Sequence, residues 1–229
     1  MTNGISVSMT RRETLGGWIL LICHLVVLPV ILSFLNLLIP ALTPAKVNFA
    51  YFIISFLAVI LIFPDFLRRN WHSFQLHPGN IMGSAFGGLI VYQLCAMGIA
   101  LLYFWIMPDF LNINDATISA LARENYGMMI LSCAFLVPVT EEVLYRGLIF
   151  RGFYGKSKLL AYALSTVIFA MIHISGYIGI YDAKLLFCCF LQYIPAGLCL
   201  AWSYARADSI CAPILMHMAI NVIGINALR

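Results

Sequence analysis

The sequence predicts an all-α membrane protein, a polytopic transmembrane bundle of about seven or eight helices. Of its 229 residues, 63% are hydrophobic and only 10% are charged, whereas a soluble globular domain carries roughly 25% charged residues. Apolar runs of about 20 residues, the length that crosses a bilayer, recur along the chain. No repeat or low-complexity linker separates these runs, so residues 1–229 are expected to form a single integral membrane domain.

The apolar runs predict seven helices in chain order. Their expected bounds are about 17–39, 48–67, 80–107, 125–144, 160–180, 184–204 and 209–226. The third run is long and rich in glycine, which leaves open a tilted or broken helix and a short eighth segment. The first run is too long for a signal peptide and no cleavage site follows it, so we expect this helix to stay in the protein.

Basic residues lie near the ends of the apolar runs, where they orient transmembrane helices. With the N-terminus in the cytoplasm, the cytoplasmic side would carry Arg11, Arg12, Arg68, Arg69, Arg146, Arg151, Lys156, Lys158 and Arg206. The outer side would carry only Lys46, Arg123, Lys184 and Arg229. This bias predicts a cytoplasmic N-terminus. Cations distributed in this way do not indicate nucleic-acid binding.

Two adjacent acids, Glu141 and Glu142, follow directly after an apolar run. An ionised side chain near the bilayer centre costs at least about 2.5 kcal/mol, so such residues usually face a bundle interior and mark a site. Glu142 and Arg146 are four residues apart with the acid first, the favourable order for an ion pair on one helix face. Glu141 is rotated by about 100° from that face. Glu142 is therefore expected to be structural, and Glu141 to be available as a general base.

Two neighbours bear on this acidic pair. Thr140 could cap a helix that restarts at Glu141, which would place both acids near the positive end of the helix dipole. Tyr145 lies four residues after Glu141, so its hydroxyl could reach that carboxylate.

Two later apolar runs each carry polar groups at helical spacing. Phe169 and His173 share one helix face, and His217 and Asn221 share another. Either pair alone is weak evidence, because an isolated buried histidine is more often a packing residue. Together with Glu141 they predict a site, since polar groups on three helices need partners in a medium without water. The least costly arrangement brings them together in one wet cavity.

In this order the motifs resemble those of the CAAX protease and bacteriocin-processing family of intramembrane endopeptidases, also called CPBP or Abi. The family pattern is EExxxR, then FxxxH, then HxxxN or a similar polar ending. This chain carries each motif on its own predicted helix, within the expected catalytic helices at about 125–226. The first 120 residues match only as generic membrane helices. Any one motif occurs often by chance, whereas all three in order form a specific signal.

The resemblance implies peptide-bond hydrolysis at the membrane by a water molecule that a carboxylate activates. Glu141 is then the general base, and His173 helps to hold or activate the water. His217 and Asn221 stabilise the tetrahedral oxyanion, where one well-aimed donor contributes about 2.7 to 4 kcal/mol.

The other motif residues have supporting roles under the same resemblance. Glu142 and Arg146 fix the helix and the cavity walls. Phe169, from the second motif, and Tyr145, from its spacing to Glu141, are expected to support the catalytic groups.

The resemblance leaves the use of a metal open. Glu141, His173 and His217 could supply three ligands to zinc, with a fourth position open for water. The HExxH spacing of common zinc peptidases is missing, and the acid and the first histidine lie on different helices. A mechanism without a metal or other cofactor is therefore favoured, with zinc as the alternative.

Several functions remain open at this point. The first is an intramembrane endopeptidase that processes a bacteriocin or signalling peptide, or has a related immunity role. A prenyl-protein CAAX endopeptidase is a variant with the same chemistry. A non-catalytic immunity or scaffold protein and a transporter with a proton relay are the alternatives without hydrolysis. The expected partners are a peptide or protein substrate at the membrane and the lipid bilayer.

Overall fold

The computed structural model of the protein describes residues 6–39 and 41–227. Within these ranges the chain forms nine continuous helices and no β-strand, which confirms the predicted all-α polytopic architecture. The helices are α1 (Arg11–Leu38), α2 (Pro44–Ile62), α3 (Pro64–Leu76), α4 (Pro78–Ile106), α5 (Ile113–Glu124), α6 (Tyr126–Tyr154), α7 (Lys158–Ser175), α8 (Ala183–Ala207) and α9 (Cys211–Ala227). Arg229, which was counted among the outer cations, lies outside the described residues.

Six of these helices, α1, α2, α4, α6, α7 and α8, are long and apolar enough to cross a membrane. The last helix, α9, is also apolar but has only 17 residues. All seven predicted apolar segments are therefore helical. The ends differ most for α6, which continues to Tyr154 and so carries the acidic pair in its interior.

The two additional helices, α3 and α5, are short and polar, so a search for apolar runs of membrane length does not find them. A proline in the first turn starts α3 directly after α2 ends, because proline suits that position but cannot continue the preceding helix. The side chain of Asn112 caps α5 by accepting hydrogen bonds from the backbone N–H groups of Asn114 and Asp115.

Helix α6 contains two wide, π-type turns, at Ser132–Leu136 and Glu142–Phe150. Pro138 explains the first one, because its ring would clash with the carbonyl of residue 134 in a regular α-helix. The helix passes through both acids without restarting. The Thr140 hydroxyl donates to Leu136 O at 2.8 Å, inside the helix, so the prediction that Thr140 caps a new helix is wrong.

Helix α6 lies at the centre of the bundle. Of its most apolar window, 67% is buried, against at most 44% for the other five candidate spans in the described residues. Next to it, α7 and α8 approach closely at Gly197, where a Cβ atom would lie 2.8 Å from Thr166 Cγ2. The part of α6 around the acidic pair is buried, so its polar groups must find partners inside the protein.

Candidate active site

Glu142 is fully buried and links α6 to α9. Its Oε1 accepts a hydrogen bond from Arg146 Nη1 at 3.0 Å, in the i,i+4 ion pair that the spacing predicts. The same oxygen lies 2.7 Å from His217 Nδ1. The sequence did not indicate this second contact, because it depends on how α9 packs against α6. Since a carboxylate oxygen accepts, His217 carries a proton on Nδ1.

Arg146 is also fully buried and connects three helices. Besides the ion pair on α6, its Nη2 donates to the backbone oxygen of Gly197 on α8 at 3.3 Å. Its guanidinium carbon lies 4.4 Å from the centre of the Phe169 ring on α7, a cation–π contact. A buried cation needs such partners, and these three hold the guanidinium in one position.

Glu141 is only 6% exposed and differs from its neighbour in its contacts. Among the described residues it forms no ion pair, and its Oε2 has no hydrogen-bond partner. Nearby buried polar atoms share this property, namely Glu142 Oε2, the Tyr145 hydroxyl and Arg146 Nε. Such atoms retain the capacity to bind water or a polar group of a substrate. The expected contrast between an occupied and an available carboxylate is therefore present in the geometry.

The His173 ring on α7 is held by three contacts. Its Nδ1 lies 2.7 Å from Phe169 O, and because a carbonyl only accepts, Nδ1 carries a proton. In the neutral ring Nε2 is then the acceptor. The ring packs against Phe169 with centroids 4.6 Å apart and stacks on Tyr193 of α8 at 4.2 Å.

Asn221 lies on α9, one turn beyond His217. Its Nδ2 donates to Cys133 O at 2.9 Å, in the first wide turn of α6. An amide nitrogen has two N–H groups. One of them therefore fixes α9 to α6, and the second is available to another acceptor.

Phe169 is the residue around which the motifs meet. Its ring centroid lies 5.8 Å from that of His217, 4.6 Å from that of His173 and 6.3 Å from that of Tyr145. With the Arg146 contact, one aromatic ring thus touches groups of the acidic, FxxxH and HxxxN motifs. The structure brings the three sequence motifs together, as the sequence predicts.

Metal binding is a separate question. In the part of the chain that the structure describes, no group of three or more His, Cys, Asp or Glu side chains could hold a metal ion. The ligand set considered from sequence was Glu141, His173 and His217. His173 Nδ1 contacts a backbone carbonyl, and His217 Nδ1 contacts Glu142 rather than Glu141. These contacts involve only Nδ1 and leave both Nε2 atoms free, as in zinc-bound histidines. In the described residues, however, Glu141 and the two histidines do not form a group that could hold zinc.

Three residues near the site were not found from sequence. Tyr51 of α2 lies within electrostatic range of Glu141. Tyr193 stacks on His173, and Gly197 accepts from Arg146. Only Tyr193 had a usable signal, because it follows the polar Gln192 inside an otherwise apolar run.

The region that contains the three motifs is also where the chain resembles known proteins. Residues 123–223 match the family model described as "Type II CAAX prenyl endopeptidase Rce1-like". The chain is 33% identical over 95 residues to "Putative membrane peptidase YdiL" of Bacillus subtilis, covering 41% of this chain and 34% of that protein. It is 26% identical over 96 residues to "UPF0177 protein YxdF" of Lactococcus lactis subsp. lactis, covering 41% of this chain and 46% of that protein.

The matches thus span less than half of the length of either relative. No solved structure matches the chain. The matched region runs from the end of α5 into α9 and contains all three motifs. These similarities support an intramembrane peptidase. They also confirm the resemblance on which the motifs were interpreted, because residues 123–223 match the Rce1-like CAAX endopeptidase model.

Proposed function

We propose that the protein is an intramembrane endopeptidase in which Glu141 activates the attacking water. The observation that carries this proposal is the contrast between the two acids. Glu142 Oε1 already contacts Arg146 and His217, whereas Glu141 Oε2 is buried without a partner in the described chain. A carboxylate without a cation partner can take a proton from water, which is the task of a general base.

In the proposed reaction, water attacks the carbonyl carbon of the scissile peptide bond and its proton passes to Glu141. His173 accepts a hydrogen bond from the same water through Nε2 and so orients it. The C–N bond then breaks, and Glu141 returns the proton to the leaving amine. No step requires a metal. Glu141 is ionised again at the end of the reaction, because it gives the leaving amine the proton that it took from water.

His217 and Asn221 are proposed to stabilise the oxyanion. His217 can donate through Nε2 only if both ring nitrogens carry protons, because Nδ1 faces Glu142. The second N–H of Asn221 supplies the other donor.

The proposed substrate is a peptide or small protein presented from the bilayer, such as a bacteriocin leader or a signalling peptide. The description of the matching family model favours one alternative, a prenyl-protein CAAX endopeptidase with the same catalytic groups. We further propose that the chain is one integral domain in a bacterial cell membrane, with its N-terminus in the cytoplasm. Its two curated relatives are bacterial.

The decisive experiment compares the secreted peptides of a deletion strain with those of its parent. The strain is then complemented with Glu141→Gln, His173→Ala or His217→Ala at equal protein level. Asp109→Asn, which changes an exposed acid, is the matched control. We expect each of the three variants to leave the peptide unprocessed and the control to restore processing. Processing that survives all three substitutions would support a non-catalytic immunity or scaffold role instead.

A further inference from the structure

We propose that Tyr193 is a positioning residue for His173, and that α5 takes part in this positioning through hydrogen bonds to the Tyr193 hydroxyl. The inference rests on the proposed function only in that it takes His173 as the residue that orients water. No sequence motif includes Tyr193 or α5.

The first observation is the stacking geometry. The rings of Tyr193 and His173 have centroids 4.2 Å apart and planes inclined by 26°. The Nδ1–H of His173 is already directed to Phe169 O at 2.7 Å. Rotation of the imidazole about its terminal torsion, which is otherwise broad, would break this hydrogen bond and collide with the stacked ring. Tyr193 thus restricts His173 to the orientation in which Nε2 is the acceptor.

The second observation is what holds the Tyr193 hydroxyl. It accepts a hydrogen bond from Asn114 Nδ2 at 3.1 Å and donates to Asn112 Oδ1 at 3.3 Å. Asn112 also donates from Nδ2 to Gln192 Oε1 at 2.7 Å, on the same helix as Tyr193. The tyrosine is therefore held at both ends, by His173 on one side and by two asparagines on the other.

The third observation is that the same asparagine builds α5. Asn112 Oδ1 accepts from the backbone N–H groups of Asn114 and Asp115 and so caps the helix. Beside this cap, Ile113 is buried in a cluster with Ile174, the residue after His173, and with Leu186 of α8. The first turn of α5 is thus fixed to both helices that carry the stacked pair.

A ring that is displaced by about 1 Å can cost on the order of 100-fold in rate without changing substrate binding. Loss of the stack should therefore lower kcat rather than raise KM. Tyr193→Phe keeps the ring and removes the hydroxyl, whereas Tyr193→Leu removes both. We expect a small decrease in kcat for Tyr193→Phe and roughly a 10- to 100-fold decrease for Tyr193→Leu, each with KM within about twofold of wild type.

The test uses purified full-length protein in liposomes with a library of quenched fluorogenic peptides as the probe. A second readout does not need activity: the ¹⁵N spectrum of histidine-labelled protein reports the tautomer of each ring, with His173 assigned by comparison with His173→Gln. We expect a single Nδ1–H tautomer in wild type and in Tyr193→Phe, and a mixture in Tyr193→Leu. Tyr162→Leu removes a different ring contact on α7, at 4.9 Å from Phe150, and serves as control for general loosening.

The outcomes separate the two proposals. If His173→Ala abolishes cleavage while Tyr193→Leu keeps both kcat and the single tautomer, the positioning role is refuted and the proposed function stands. If His173→Ala cleaves as wild type does, or wild type cleaves no peptide, the proposed function is in error, and the tautomer spectrum still decides whether Tyr193 holds the ring. An equal decrease in kcat in Tyr162→Leu and Tyr193→Leu would show that Tyr193 acts only through packing.

Discussion

Substitution of Gly197 by alanine tests whether the close approach of α7 and α8 maintains the buried guanidinium. The new Cβ would lie 2.8 Å from Thr166 Cγ2 and 3.0 Å from Thr166 Cα. Comfortable carbon contacts are about 3.5 to 4.0 Å, so α8 must move away by roughly 0.5 to 1 Å. Because one of the two contacts is to backbone, a change of side-chain rotamer cannot relieve both.

Two losses add in this variant. Overpacking of this kind typically costs about 1–3 kcal/mol. The same displacement lengthens the Arg146 Nη2 to Gly197 O contact, now 3.3 Å, beyond hydrogen-bonding distance. A hydrogen bond to a charged group contributes about 1.5–3 kcal/mol. We therefore expect Gly197→Ala to destabilise the protein by about 2.5–6 kcal/mol and to reduce hydrolysis, since Arg146 also holds Glu142.

The measurement is the unfolding temperature of purified protein in detergent, together with peptide cleavage. Gly98→Ala is the matched control, because nothing lies within 4 Å of a Cβ at that helical position. Thr166→Ser removes the closer of the two contact atoms and should restore part of the loss when combined with Gly197→Ala. An unfolding temperature equal to that of wild type in Gly197→Ala would refute the reasoning on this helix contact.

Three further predictions concern the acidic pair, metal dependence and the pH dependence of stability. Glu142→Gln should destabilise the fold by about 3–5 kcal/mol, because it leaves the buried Arg146 without its carboxylate. Glu141→Gln should unfold close to the wild-type temperature but lose activity. Equal unfolding temperatures for the two variants would contradict the division of roles. Purified protein should retain cleavage after exhaustive treatment with a chelator, and a loss that zinc reverses would overturn the metal-free proposal. Burial raises the pKa of Asp115 above its ordinary 3.8, and the neighbouring Tyr193 hydroxyl lowers it in part. The folded chain then binds this proton more tightly than the unfolded chain, so wild type should lose stability as the pH rises from about 3.8 through the raised pKa, while Asp115→Asn should not; parallel pH profiles of the unfolding temperature would exclude this effect.

Much of the fold follows from the sequence because bilayer thickness imposes a length on each apolar helix. The seven apolar helices and the ion pair of Glu142 with Arg146 were predicted from local spacing alone. Helices α3 and α5 were missed because they are too short and polar for that criterion. The sequence signals that indicate these two helices are the residues that favour a helix start, Pro64 for α3 and Asn112 for α5.

The site was predictable as a set of residues but not as a set of contacts. The three motifs do meet, at the Phe169 ring. Which acid His217 contacts depends on the rotation and depth of α9 against α6, and no local pattern encodes these. The stacking of Tyr193 on His173 likewise depends on the packing of two helices. The assignment of catalytic roles to Glu141, His173, His217 and Asn221 stays a prediction.

The double contact at Glu142 Oε1 also has a consequence for biosynthesis. Arg146 is on the same helix as Glu142, so the two charges can enter the bilayer already neutralised by each other. His217 follows Glu142 by 75 residues, which take about 4–15 s to synthesise at typical rates. During that interval only the ion pair within α6 neutralises the acid in the lipid, and the insertion of α9 adds the second contact. Without Arg146, Glu142 would lie in the membrane as an unpaired charge until α9 was inserted.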